Sequence, residues 1–125
     1  MRILLDTHVY LWWLEGSPNL SPVAAAIIAT ADEVFVSSAS IWEAAIKSGI
    51  GKLSVDIDQL IAEIDSNGFR ELPVSTRHVA ALSRLPPIHK DPFDRMLVAQ
   101  ALSEPLRLMS ADKILAAYSD LVDLI

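Results

Sequence analysis

The chain alternates short, continuous apolar runs with longer segments whose apolar residues recur at helical spacing. The continuous runs are typical of strands buried on both faces, and they read RILLD, EVFVSS, FRELPV, RLMS and LVDLI. The intervening segments include HVYLWWLE, LSPVAAAIIATA, IWEAAIKSG and FDRMLVAQALSE. The predicted order is β-α-α-β-α-α-β-α-α-β-α-β. Because helices separate the strands throughout, we predict an α/β fold with a central, mainly parallel sheet covered by helices on both faces.

Several polar residues mark where the predicted helices begin and end. Ser21 and Asp91 each precede a proline, which places a capping side chain ahead of a proline at the first helical position. Thr7 is the expected cap of the first helix, and Gly16 is its expected end. The prolines of LPPIHKDP enforce a loop that leads directly into Asp91.

Composition limits the class of protein. A length of 125 residues with 52% hydrophobic residues predicts one compact domain spanning residues 1–125. A net charge of -6 argues against a broad basic surface for nucleic acid, but it does not exclude a nuclease, because cations held by acidic residues reverse the local charge. The absence of cysteine removes disulfides, thiolate nucleophiles and cysteine-ligated zinc. The apolar N-terminal stretch is interrupted by Asp6 and is too short to span a bilayer, so we expect a cytoplasmic protein with no membrane segment.

Four acidic residues stand in short signatures along the chain. Asp6 ends the first strand in RILLDT, Glu43 lies in SIWEAAIK, Asp94 lies in DPFDRMLVAQA and Asp112 follows a late strand in LMSADK. In open parallel sheets the functional crevice lies outside the carboxyl ends of the strands, where residues distant in sequence converge. Converging carboxylates repel one another unless they share a cation, and hard oxygen ligands suit Mg²⁺ or Mn²⁺. The pattern therefore predicts a metal site.

Each acid also has a purely structural interpretation. The residues Asp6 and Asp112 both stand where a helix cap is expected. Glu43 precedes Lys47 by four residues, which is the favourable order for a surface ion pair. Asp94 falls in the first turn of its helix, where an acid interacts favourably with the helix dipole. Asp91 is expected to be the cap of that helix rather than a ligand.

Other polar and aromatic residues add candidates without metal-ligand spacing. His78 is expected to be partly exposed on a helix, whereas His8 and His89 are expected near the crevice, where they would touch a substrate. Three basic residues are candidates for holding a substrate backbone: Lys47, Lys90 and Arg95. The tryptophans are expected to pack in the core or a dimer interface rather than to stack on bases: Trp12, Trp13 and Trp42.

With these motifs in this order, the chain resembles the PIN-domain nucleases, and among them the toxin ribonucleases of VapBC toxin-antitoxin pairs. The resemblance covers essentially the whole chain, and DPFDR with its helix is the most specific part. It implies a PIN-like α/β/α sandwich and an acidic quartet at Asp6, Glu43, Asp94 and Asp112. Asp6 and Asp94 would be the principal ligands of Mg²⁺ or Mn²⁺, and Glu43 and Asp112 would complete the site. Ser110 stands where the family commonly has threonine or serine.

The resemblance further implies a Mg²⁺-dependent endoribonuclease with an RNA substrate, held inactive by a cognate antitoxin. The antitoxin's C-terminal segment would wrap a groove and place a basic side chain in the acidic site. A homodimer is also implied, with the apolar N-terminal helix as a plausible contact. Two alternatives stay open, a catalytically silent PIN fold that binds proteins and a receiver-type phosphoacceptor domain. The latter needs a pair of acids after the first strand, where the chain offers only Asp6, and an aspartate after the third, where FRELPVS has none.

Overall fold

The computed structural model describes residues 1–125 and contains the predicted elements in the predicted order. In chain order they are β1 (Arg2–Leu5), α1 (Thr7–Glu15), α2 (Pro22–Thr30), β2 (Glu33–Ser37), α3 (Ser38–Gly49), α4 (Ile57–Ser66), β3 (Arg70–Leu72), α5 (Thr76–Ser83), α6 (Pro92–Ser103), β4 (Arg107–Ser110), a 3₁₀ helix (Lys113–Ala117) and β5 (Val122–Leu124). Two details differ from the prediction. The third strand is shorter than FRELPV, and the last helix is of the 3₁₀ type. No helix combines the length and apolar character that crossing a membrane requires.

The five strands form one parallel sheet in the order β3-β2-β1-β4-β5, which confirms the predicted parallel arrangement. The chain leaves the central strand β1 toward β2 and later returns to place β4 on the other side of β1. The strand order therefore reverses between β1 and β4, and ligands of open α/β sheets bind at such a point, outside the carboxyl ends of the strands. Receiver domains have the order 2-1-3-4-5, so the receiver alternative is wrong.

Alternate residues of the strands supply two cores, one on each face of the sheet. Ile3 and Leu5 pack on one face with apolar residues of α1, α2 and α4, whereas Leu4 packs on the other face with α6 and the 3₁₀ helix. All three residues are fully buried, and burying each such side chain contributes about 1.5–3 kcal/mol. These layers confirm the α/β/α sandwich and fix the strand ends in position.

Helix caps follow the prediction at Ser21 and Asp91, but not at the first helix. Asp6, not Thr7, caps α1, and its Oδ1 accepts the backbone N–H of His8 at 3.3 Å. Thr7 instead begins the helix, and its buried hydroxyl donates to Oγ of Ser40 at 2.9 Å. The carboxylate of Asp6 thus has a capping role in addition to its place at the end of β1.

The tryptophans divide between core and surface. Trp12 and Trp13 are partly buried against the core, as expected, and Nε1 of Trp13 donates to Oδ1 of Asn67. Trp42 is 63% exposed, so it lies outside the core, and its place in a dimer interface stays a prediction. Its ring meets that of Phe93 edge to face, with ring centroids 5.0 Å apart. An aromatic pair of the exposed Trp42 and the partly buried Phe93 therefore links α3 to the start of α6.

The prediction for His78 is wrong, because this residue is buried. It lies in the first turn of α5, where Nδ1 accepts the backbone N–H of Ser75 and Oγ of Ser75 accepts the N–H of His78. Nε2 lies 2.6 Å from Oε2 of Glu104, beyond the end of α6. The imidazole therefore ties the start of α5 to the segment that follows α6.

Replacing His78 with alanine is expected to lower the free energy of unfolding by about 2–3 kcal/mol, because the buried imidazole is lost and the Ser75 N–H and the carboxylate of Glu104 lose a partner. Urea denaturation measures this change. Arg77→Ala is the matched control, since Arg77 also contacts Glu104 but is 65% exposed; it should cost less than about 1 kcal/mol. Equal losses in the two variants would contradict the role assigned to His78.

Candidate active site

Asp6 lies at the carboxyl end of β1, beside the end of β4. Its backbone N–H donates to the carbonyl oxygen of Met109 at 3.0 Å, and its Oδ2 accepts the hydroxyl of Ser110 at 2.6 Å. Both residues of this side-chain pair are buried. The parallel pairing of β1 with β4 therefore fixes the Asp6 carboxylate at the reversal of strand order.

Burial raises the pKa of Asp6 above its ordinary value. The hydrogen bond from Ser110 and the neighbouring His8 lower that pKa, and the charge of Glu43 raises it. Because water is excluded here, the ionised carboxylate depends on nearby positive charge for its stability.

Glu43 lies on α3 and is only 3% exposed. Nζ of Lys47, one turn further on, lies 2.7 Å from Oε2 of Glu43 and forms the predicted ion pair. This pair is not a surface pair, however, because the carboxylate is buried. The hydrogen bond to Glu43 raises the pKa of Lys47, with burial opposing that shift. Oε1 of Glu43 is buried and has no hydrogen-bond partner, so it is free to bind a cation.

Asp94 lies in the first turn of α6, which Asp91 caps. Oδ1 of Asp91 accepts the backbone N–H groups of Phe93 at 2.8 Å and Asp94 at 3.1 Å, which confirms the predicted capping role. The pKa of Asp94 is raised to about 7, first by burial and then by the charges of Asp6, Asp91 and Glu43, while His89 opposes the shift. Asp94 therefore shares a strongly negative environment with two other predicted site residues.

Asp112 joins the site through two of its neighbours. Its backbone N–H donates to Oγ of Ser110 at 3.0 Å, so one hydroxyl serves both Asp6 and Asp112. Its Oδ1 accepts the N–H of Ile114 and caps the 3₁₀ helix, as the structural interpretation expected. Its Oδ2 lies 2.8 Å from Nε2 of His89. All four predicted acids thus lie at the same edge of the sheet.

His89 lies closer to the acidic residues than the sequence indicated. Its Nε2 also lies 3.4 Å from Oδ2 of Asp94, and ligand atoms of His89, Asp94 and Asp112 all lie within 4.8 Å of one another. The sequence placed His89 near the crevice but offered no spacing that made it part of the acidic cluster. Its only signal was its place two positions before DPFDR.

The basic candidates occupy different places. Nη2 of Arg95 donates to the carbonyl oxygens of Leu82 and Leu85, each at 3.4 Å, so its guanidinium holds the loop before α6 rather than facing the crevice. Lys47 is engaged by Glu43. Lys90 and His8 are exposed. Of the three basic residues expected to hold a substrate backbone, Lys90 is thus the one whose side chain stays exposed.

Comparison with known proteins identifies the family to which this arrangement belongs. The family model of the PIN domain matches residues 3–121. The chain belongs to the PIN-domain family. Among relatives of this PIN domain is "Ribonuclease VapC22" of Mycobacterium tuberculosis (strain ATCC 25618 / H37Rv), which is 32% identical over 123 residues, covering 93% of this chain and 91% of the relative.

Solved structures show the same fold for this PIN domain. A "Toxin-antitoxin complex from Klebsiella pneumoniae" has a TM-score of 0.69 at 17% identity, covering 97% of this chain and 95% of the other. VapBC2 from Rickettsia felis, bound to a DNA fragment from its promoter, has a TM-score of 0.67 at 16% identity, covering 100% and 98%. FitAcB from Neisseria gonorrhoeae has a TM-score of 0.67 at 17% identity, covering 98% and 96%. The predicted PIN-like sandwich is therefore confirmed.

The acids of this PIN domain fit a divalent cation. Oε1 of Glu43 is a buried carboxylate oxygen that no protein group satisfies, and burial with three neighbouring acids raises the pKa of Asp94. An added cation would satisfy the first group and stabilise the ionised form of the second. The donor set consists of carboxylate oxygens, which suits Mg²⁺ or Mn²⁺.

Proposed function

We propose that this PIN domain is a divalent-metal-dependent endoribonuclease that acts as a toxin on cytoplasmic RNA. The observation that carries the proposal is the convergence of Asp6, Glu43 and Asp94, whose negative charge is offset in part by Lys47, His8 and His89. Family membership and the relative named as a ribonuclease support the same activity.

In this proposal Asp6 and Asp94 are the principal ligands of Mg²⁺ or Mn²⁺, and Glu43 contributes its free Oε1. When bound, the ion supplies charge neutralisation at the phosphodiester and makes water easier to deprotonate. Ser110 holds Oδ2 of Asp6 in place, and Lys47 holds Oε2 of Glu43, so that both carboxylates keep a single orientation. Asp112 completes the site and, with Glu43, provides a proton acceptor for the attacking water.

We also propose that a cognate antitoxin blocks this site. A groove of about 430 Å³ lies between α3 and α6 and is lined mainly by apolar residues, among them Trp42, Phe93 and Met96. Trp42 directly precedes Glu43, and Phe93 directly precedes Asp94, so the same two helices carry the groove and two of the carboxylates. An antitoxin segment with apolar residues for the groove and a basic residue for the acids would complement both features. The neighbouring structures solved as toxin-antitoxin complexes support a partner of this kind.

Homodimerisation remains a proposal, and the core of this chain uses only part of the expected contact surface on α1. Val9, Tyr10 and Leu11 of that helix are buried in the core of this chain. The apolar residues Trp12, Trp13 and Leu14 of α1 are only partly buried, so they remain available to a second copy together with the exposed Ile46 and Ile50 at the end of α3.

The test is cleavage of RNA by the purified protein with and without metal. We expect cleavage with Mg²⁺ or Mn²⁺, none in EDTA, and recovery when metal is restored. Expression of the chain alone should arrest growth, and co-expression of a small basic-tailed protein encoded beside it should relieve the arrest. Cleavage that persists in EDTA would refute the mechanism. An inert protein that still binds such a partner would favour the catalytically silent alternative.

A further inference from the structure

Three hydrogen bonds hold His89 at the end of the proline loop, two through its ring and one through its backbone. Its Nδ1 accepts the backbone N–H of Asp91 at 3.0 Å, and its own backbone N–H donates to Oη of Tyr118 at 2.7 Å. Its Nε2 lies 2.8 Å from Oδ2 of Asp112, and the side chain is only 15% exposed. The ring orientation is therefore set by the backbone on one side and by acids on the other.

These contacts decide which ring nitrogen carries the proton. A backbone N–H can only donate, so Nδ1 must present its lone pair to Asp91, and the proton lies on Nε2. A histidine that binds a metal through one nitrogen almost always donates the other ring N–H to a carboxylate, carbonyl or water. In His89 the other nitrogen accepts instead of donating. Nε2 is therefore a hydrogen-bond donor here and not a metal ligand.

We propose that His89 is a positioning residue that supports the cation site through its Nε2–H. This inference rests on the proposed metal-dependent activity. The N–H holds Oδ2 of Asp112 and reaches toward Oδ2 of Asp94, so it keeps two mutually repelling carboxylates close together before metal is present. It thereby orients ligands of the cation without touching the cation.

The contact between His89 and Asp112 separates the role of Asp112 from those of Asp94 and Glu43. Both oxygens of Asp112 are already engaged, Oδ1 by the N–H of Ile114 and Oδ2 by His89. Oε1 of Glu43, by contrast, has no partner. Oδ2 of Asp94 lies 3.4 Å from Nε2 of His89, which is a longer contact than the 2.8 Å to Asp112. Asp94 and Glu43 therefore offer less engaged oxygens to a cation bound at Asp6, and Asp112 completes the site as the acid that His89 holds beside them.

The competing interpretation is that His89 is itself a ligand. Ligand atoms of His89, Asp94 and Asp112 lie close enough to share an ion, and a nitrogen ligand would favour Mn²⁺ over Mg²⁺. Metal binding through Nε2 of His89 would require a proton on Nδ1, and that proton would then face the backbone N–H of Asp91. The loop before α6 would have to change its backbone conformation to allow this.

The test compares His89→Gln, which keeps a side-chain N–H donor, with His89→Leu, which has a similar size and no donor. Mn²⁺ binding to the metal-stripped protein is measured by titration calorimetry. We expect the glutamine variant to bind within a few-fold of the original protein and the leucine variant to bind about 10–100-fold more weakly, the usual cost of losing an outer partner. At saturating Mn²⁺ the leucine variant should also have a lower kcat than the original protein, and the glutamine variant should have a kcat close to that of the original protein.

Electron spin-echo spectroscopy of Mn²⁺ bound to the unchanged protein provides a readout that does not depend on how the variants fold. We expect no directly coordinated nitrogen, and a coordinated nitrogen would overturn the inference. Mn²⁺ binding that is equal in the leucine variant and the original protein would also overturn it, while leaving the proposed function intact. If the original protein neither binds Mn²⁺ nor cleaves RNA, the proposed function fails and this inference fails with it.

Discussion

Replacing Asp94 with asparagine is expected to lower metal-dependent RNA cleavage by more than about 100-fold while preserving the fold. Losing a residue that only supports a metal ligand already lowers metal affinity or activity by about 10–100-fold, and Asp94 is proposed as a direct ligand. Its carboxylate lies in a cluster with Asp6 and Glu43, whose charges help to raise its pKa to about 7. Asparagine keeps the shape of the side chain but removes the charge that a divalent cation would offset. Initial cleavage rates at saturating Mg²⁺ measure the effect.

Asp58→Asn is the matched control. Asp58 lies in the first turn of α4 as Asp94 lies in the first turn of α6, and it is exposed. The two substitutions make the same change in charge within the first turn of a helix. Activity close to the original level in Asp58→Asn, together with its loss in Asp94→Asn, assigns the effect to the site. Comparable activity in both variants would contradict the role of Asp94.

The sequence predicted the element order of this fold because buried parallel strands leave a local signal. Runs such as RILLD have no polar face, whereas the helices between them do, so each element is recognisable alone. The strand order β3-β2-β1-β4-β5 has no comparable local signal. It depends on how distant strands pair, and it is this pairing that brings Ser110 within 2.6 Å of Asp6 across 104 positions of sequence.

Burial is hard to predict for residues whose surroundings come from distant segments. His78 is buried because Glu104 supplies a partner 26 residues away, and nothing in the local pattern shows that partner. Trp42 is exposed because α3 buries a different face, which includes Ala39 and Glu43. The flanks of Glu43 are apolar on nearly every side, so the sequence offers no polar stripe that distinguishes the buried face of this helix.

The metal-free protein is expected to lose stability as the pH rises from about 4 to 7, and Asp94→Asn is expected to remove much of this loss. The pKa of Asp94 is raised to about 7 in the folded protein, whereas an aspartate in the unfolded chain has a pKa of about 3.9. Between these values the unfolded chain releases the proton and the folded protein retains it. The unfolded state therefore binds fewer protons, so the free energy of unfolding falls with rising pH and levels off above about pH 7.

A difference of roughly three pH units corresponds to at most about 4 kcal/mol. The side chain of Asp94 is 15% exposed, so solvent reduces this effect only in part. Burial raises the pKa of Asp6 in the same direction, which adds to the loss in both proteins. Because the charges of Asp6 and Asp94 repel each other, this added loss is smaller in Asp94→Asn. In EDTA at pH 8, Asp94→Asn should consequently be more stable than the original protein.

Urea denaturation in EDTA, measured for both proteins from pH 4 to 8, tests this expectation. The difference in stability between variant and original protein should grow across this range, because only the original protein carries the Asp94 charge. Added Mg²⁺ should stabilise the original protein at pH 8 and have little effect on the variant, since the ion binds the folded state through that charge. If the difference stays constant with pH, the Asp94 carboxyl does not retain its proton in the metal-free fold, and the excess of negative charge assigned to this site is wrong.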